Sequence, residues 1–254
     1  MEDGRVYLRS ENSVGWIIID RPRKRNAMTS RMWTALADYV LDACSRSDTA
    51  VVALRGVGGA FSAGDDIGEM LSISTPGEAD RFFERVARAF EAVSSCPKIT
   101  AALVEGPAAG GGAEMLLLID YVVAVEGSII GYPEIHIGLI PPILLTWGPK
   151  ILGARTARKL ALTGSYLQAR EALRLGIVDE VVDTPSEGKK RIMEISLAAA
   201  GLPRKAVSAI KSLLPKPAPS EIHSALQTLK LLVLSDEAKK RMREFLEKRR
   251  RHEN

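Results

Sequence analysis

Residues 99–114 read ITAALVEGPAAGGGAE. The run Ile99 to Val104 is almost continuously apolar and is followed at once by a glycine-rich turn. That is the pattern of a parallel strand buried on both faces. Three consecutive glycines, Gly110 to Gly112, then lead into an apolar segment that reads as a helix starting near Ala113. A strand feeding a helix through side-chain-free residues lets a ligand come close to backbone N–H groups. The helix start adds unpaired N–H groups and the positive end of its dipole. An anion or a developing oxyanion suits such a spot; a tight turn needing unusual dihedrals is the plain alternative.

The same alternation extends outward. Val6–Ser10 and Val14–Asp20, joined at Glu11-Asn12-Ser13, read as a hairpin that Arg21-Pro22 ends. Thr29 or Ser30 can cap a following helix, in which Met32, Ala35, Leu36, Tyr39, Val40 and Ala43 form one apolar stripe. Ala50–Leu54 is another buried strand, and a second glycine-bearing turn, Gly56 to Gly64, follows it. A helix over about 79–94 precedes the strand already described, and Tyr121–Val125 is the next one. Strands alternating with helices argue for an α/β architecture with parallel pairing. After about Pro185 the strand signal stops. The expected organisation is an α/β core over residues 1–185 and a helical C-terminal region over 186–254.

Composition narrows the class. The 254 residues are 46% hydrophobic and 26% charged, ordinary for a globular protein. No apolar run of about 18 residues is present, so no membrane partner is expected. The charged N-terminus has no apolar signal core, which leads to the expectation of a cytoplasmic protein. Cys44 and Cys96 lie outside any CxxC pattern or histidine cluster, so no metal site is expected and both read as separate buried thiols. The net charge of +4 is concentrated in Arg21, Arg23, Lys24 and Arg25 and again over residues 239–251. Such clusters attract phosphates. Nucleic acid is a less suitable partner, because aromatics make up only 5% of the chain and offer no stacking platform.

Two glutamates stand out. Glu114 lies just behind the triple glycine among apolar neighbours, and Glu134 follows Pro133 in a similar setting. A buried carboxylate needs a reason, and a pair of them near an oxyanion site can divide general-base and general-acid work. From spacing alone, each could equally be structural. Neither glycine loop matches a Walker or dinucleotide fingerprint.

Six segments, in order, resemble the crotonase family: IIIDRPRKRNAMTSRM (17–32), FSAGDDIGEM (61–70), EGPAAGGGAEM (105–115), IIGYPEIHIGLIP (129–141), LALTGSYLQAREALRLGIVDEVV (160–182) and REFLEKRR (243–250). The resemblance implies a spiral of ββα units followed by a helical trimerisation region, assembled as a homotrimer or homohexamer. It implies an acyl-CoA thioester substrate, whose CoA is part of the substrate, and no metal or redox cofactor. By motif position the thioester oxygen would be held by the backbone N–H groups of Asp65 and Gly111. Glu114 and Glu134 would handle the protons in hydration of a trans-2-enoyl-CoA, water adding syn across the 2,3 double bond. Ala63, Asp65, Asp66, Ile67 and Gly68 would border CoA, with Arg23, Lys24 and Arg25 beside them. Phe245 and Lys248 would reach CoA bound to a neighbouring subunit.

The chain departs from the family pattern at three places. Gly68 stands where a lysine is common, and Asp65 where a small residue is common. Bulky Ile143, Leu144 and Leu145 follow Pro141-Pro142 where glycines are common, near the expected acyl pocket. His136 has no family role and reads as structural. Enoyl-CoA isomerisation or thioester hydrolysis on the same scaffold, RNA binding through the basic ends, and a silent CoA-binding subunit are the competing readings.

Overall fold

The computed structural model describes residues 4–253; the side chains of Arg250, His252 and Glu253 lie outside the described set. Strands β1 (Arg5–Glu11) and β2 (Val14–Asp20) form the expected antiparallel hairpin. Helix α1 (Ser30–Ser45) is capped by Thr29, whose hydroxyl accepts the Met32 N–H. It leads to β3 (Val51–Gly56), α2 (Ile67–Ser72), α3 (Pro76–Ser94) and β4 (Ile99–Val104). A Thr75/Glu78 capping box starts α3.

Next come β5 (Ala108–Ala109), α4 (Gly111–Leu116), β6 (Tyr121–Val125), β7 (Ile129–Gly131) and a 3-10 turn, Pro133–Ile137. The chain continues through α5 (Pro142–Thr146), α6 (Gly148–Leu152), α7 (Ala154–Thr163), β8 (Tyr166–Gln168), α8 (Ala169–Leu175) and β9 (Glu180–Val182). Four helices finish it: α9 (Pro185–Ala200), α10 (Arg204–Leu213), α11 (Pro219–Val233) and α12 (Asp236–Glu253).

The main sheet has the order β1-β2-β3-β4-β6-β9, parallel from β2 onward. A second sheet, β5-β7-β8, grows from the loops beyond the main strands. Both faces of the main sheet are covered, which is why its strands read as unbroken apolar runs. Val52, Leu54, Ala102 and Val104 face the larger core with α1 and α3; Val51, Ala53, Ala101 and Leu103 face the other side, where Ile192 of α9 packs. Helix α9 therefore lies on the sheet itself, whereas α11 packs on α3 and α5, and α12 on α2 and the 3-10 turn. No helix among the described residues is long and apolar enough to cross a membrane.

The reading of Cys44 and Cys96 as separate thiols is corrected: they form a disulfide, with Cα atoms 5.8 Å apart. Helices α1 and α3 pack side by side, so the last turn of one meets the turn that follows the other. Lys98 reinforces the junction by donating to the Ala43 and Arg46 carbonyls. Fifty-two residues of separation hide this pairing from the sequence.

Candidate active site

The two glycine loops meet beyond the ends of β3 and β4. Gly64, at φ +77°, leaves no room for a side chain: a Cβ there would stand 2.8 Å from both the Gly111 nitrogen and the Ala109 carbonyl oxygen. Gly112 is equally confined, since its Cβ would lie 2.5 Å from the Ser62 carbonyl oxygen. These two glycines serve the approach of one loop to the other. Gly110, at φ +53°, faces the site, with Glu134 Oε1 3.4 Å from the place of its Cβ.

Two backbone donors of these loops are free among the described residues. Residue Asp65 forms an isolated parallel bridge with Met28, made by Met28 N–H to the Gly64 carbonyl (2.7 Å) and Asp66 N–H to the Met28 carbonyl (2.9 Å). In that pattern the N–H of Asp65 points away from Met28, and it has no acceptor among the described residues. Gly111 is the first residue of α4, so its N–H has no intrahelical partner. The Gly110 N–H, in contrast, is taken by the Gly131 carbonyl.

The first loop is anchored from below. Asn26, fully buried, accepts the Arg21 N–H and donates to the Val57 and Ala60 carbonyls. The Arg21 guanidinium binds Asp66 and the Ala27 carbonyl, and Asp66 also caps α2 through the Glu69 N–H. These bonds hold the Asp66 carboxyl below its usual range despite burial.

Glu114 is 2% exposed. Its Oε1 accepts the N–H groups of Ile143 (2.6 Å) and Leu144 (3.0 Å) at the start of α5. The bulky residues expected to crowd the acyl pocket thus send Ile143 and Leu144 into the core while their backbone faces the glutamate; Leu145 is exposed. Glu134, in the first turn of the 3-10 segment, has an Oε2 with no hydrogen-bond partner among the described residues, as has the hydroxyl of fully buried Tyr132. Burial raises the Glu134 carboxyl to about 8, and the charge of Asp65 adds to it. Burial and then the nearby Glu134 push Glu114 well above the usual range, against the two N–H bonds. Burial likewise raises Tyr132, with both glutamates contributing. Carboxyls driven upward together near unpaired backbone donors are suited to exchanging protons.

The structure brings Asp65, Gly111, Glu114 and Glu134 into one site. Arg23, Lys24 and Arg25 are exposed on the turn before Asn26, and the Arg25 carbonyl accepts the Ala63 N–H, tying that turn to the first loop. Ile67 and Gly68 begin α2 on the same rim, Gly68 exposed. Phe245 and Lys248 are exposed on α12. His136 is exposed and packs near Gly164 rather than in the site. Sequence reasoning passed over Trp33, whose indole nitrogen donates to Asp65 Oδ1 at 2.8 Å, and Tyr132. Trp33 lies one position beside the apolar stripe, where its bulk reads as core.

The family model described as enoyl-CoA hydratase/isomerase matches residues 9–253. The chain belongs to that family. A probable enoyl-CoA hydratase of Bacillus subtilis is 31% identical, over 96% of each chain. A short-chain-enoyl-CoA hydratase of Clostridium acetobutylicum is 30% identical, over 98% of this chain and 97% of its own. The crystal structure of an enoyl-CoA hydratase from Bacillus halodurans superposes with a TM-score of 0.87 over 94% of this chain and 99% of its own, at 24% identity, a likeness of fold. The ββα architecture of the family is the one described above.

Proposed function

We propose that this family member is an enoyl-CoA hydratase that adds water syn across the 2,3 double bond of a trans-2-enoyl-CoA. The observation that carries the reading is the pair Glu114 and Glu134, both driven upward by burial, beside two unpaired N–H groups on touching loops. The N–H groups of Asp65 and Gly111 hold the thioester oxygen, and their preorganised dipoles favour the charge that gathers there when the β-carbon is attacked. Two buried carboxyls in one field share a proton more readily than both ionise. Burial and Glu134 raise Glu114 as well, but its Oε1 accepts two backbone N–H groups while Glu134 Oε2 accepts none, so the charge is assigned to Glu114 and the proton to Glu134. Ionised Glu114 accepts a proton from water as the oxygen bonds to the β-carbon, and Glu134 gives its proton to the α-carbon. CoA, as part of the substrate, is the only cofactor-like group the reaction uses.

The exposed Leu197, Ile210, Leu213 and Leu231 on the C-terminal helices, with Leu202 and Leu214 in the turns between them, suit a homotrimer or homohexamer. The test of function is loss of the conjugated-thioester absorbance of crotonyl-CoA by wild type, E114Q and E134Q. Fast loss in wild type and a drop of about 10²-fold or more in each variant is expected. Full activity in either variant would refute the two-carboxylate division and favour isomerisation, the sister chemistry of the family, which one carboxylate can carry.

A further inference from the structure

Asp65 is the departure that the reaction scheme above leaves unused beyond its backbone. Its carboxyl turns inward. Oδ1 is fixed by the Trp33 indole at 2.8 Å, and Oδ2 lies 3.9 Å from the place a Gly111 Cβ would occupy. Trp33 is itself enclosed: it is fully buried on α1, meets Phe90 edge-on with centroids 5.5 Å apart, and would contact a Gly111 Cβ at 3.2 Å. One ring therefore touches the second donor residue and orients the side chain of the first.

No cation answers this carboxyl among the described residues. The titratable groups around it are Asp66, which caps α2, Glu69 within α2, Glu114 of α4 and Glu134 of the 3-10 turn. Arg21, the nearby guanidinium, is bound to Asp66 and the Ala27 carbonyl. An ionised Asp65 would oppose an oxyanion formed at the adjoining N–H groups, whereas a neutral one can donate to it.

We propose that Asp65 supplies its side chain as well as its N–H: held by Trp33, the neutral carboxyl donates from Oδ2 to the thioester oxygen as a third donor. The proton stays on Asp65 throughout; it strengthens the hold on the oxyanion and is not transferred. Burial, opposed by the Trp33 bond and aided by Glu69 and Asp66, raises this carboxyl to about 7. The neutral donor is therefore lost as pH rises through that value.

The inference rests on the site binding a CoA thioester, but not on hydration. Acetoacetyl-CoA, a β-keto thioester whose enolate absorbs in the near ultraviolet, reads the oxyanion hole without turnover. Wild type, D65N, D65A and W33F are titrated with it across pH. In wild type the bound enolate fraction should fall above about pH 7, as Asp65 ionises, relative to D65N, whose amide is a permanent donor. D65A should bind the enolate about 10-fold or more weakly than D65N, and W33F should shift in the same direction. Equal enolate binding by D65A and D65N would overturn the proposal, as would stronger binding by D65A than by wild type. A wild type that shows no enolate band would overturn it as well. An intact band without crotonyl-CoA hydration would sink the hydratase reading alone.

Discussion

Replacing Glu134 by glutamine should stabilise the folded protein, and by more as pH rises. The folded carboxyl titrates at about 8 and the ordinary value is 4.5. Below 4.5 the group is neutral in both states and costs nothing. Above 4.5 the unfolded chain ionises while the folded site holds its proton, so folding becomes less favourable by about 1.4 kcal/mol per pH unit until about pH 8. Between about pH 5 and pH 8 the penalty on wild type therefore grows by up to about 3.5 kcal/mol. The Glu134 carboxyl oxygen Oε2 is buried but the residue as a whole is partly exposed, and solvent screening reduces this to about 2 kcal/mol. Glutamine carries no such penalty. Urea unfolding of wild type and E134Q at about pH 5 and pH 8 measures it, with equal m-values as the control on the unfolded state. A variant that gains nothing at pH 8, or a difference independent of pH, would refute the claim that the site holds this carboxyl against ionisation.

The remaining expectations follow from packing. G112A would force a Cβ to within 2.5 Å of the Ser62 carbonyl oxygen; it should cost about 1–3 kcal/mol of stability and lower kcat by separating the two loops, seen together in unfolding and steady-state rates. The Cys44–Cys96 bridge closes a loop of 52 residues, for which chain entropy gives about 4 kcal/mol. Reduction, or the C44S/C96S double variant, should lower the unfolding free energy by about 2–4 kcal/mol with little change in KM, since the bridge lies at the far end of α1 from the site. An unchanged unfolding free energy after reduction would show that the bridge does not stabilise the fold.

Local patterns carried most of the fold. The hairpin was legible because β-branched runs flank Glu11-Asn12-Ser13, and Asn12 and Ser13 do take positive φ. The start of α1 was legible because its cap is written within three residues, Thr29 to Met32. Both glycine loops declared themselves through spacing. Their purpose did not: that Gly64 and Gly112 make room for the opposite loop, while Gly110 faces Glu134, depends on residues far apart in the chain. The bond from the Ile143 and Leu144 N–H groups to Glu114 was hidden for another reason. Large apolar side chains suggest an occupied pocket, but the helix start turns those side chains into the core and the backbone toward the glutamate. Trp33 and the disulfide were invisible because each needs a partner placed by tertiary packing.

Hydration consumes water, and labelled water tests it most directly. Crotonyl-CoA incubated with enzyme in oxygen-18-labelled water, and separately in deuterium oxide, is followed by mass spectrometry of the intact thioester. Hydration by the two glutamates places one labelled oxygen on the β-carbon and one deuterium on the α-carbon, with CoA still attached and both labels lost in E114Q and E134Q. A product that has moved its double bond without taking up labelled oxygen, or free CoA with the label in the released acid, would contradict it.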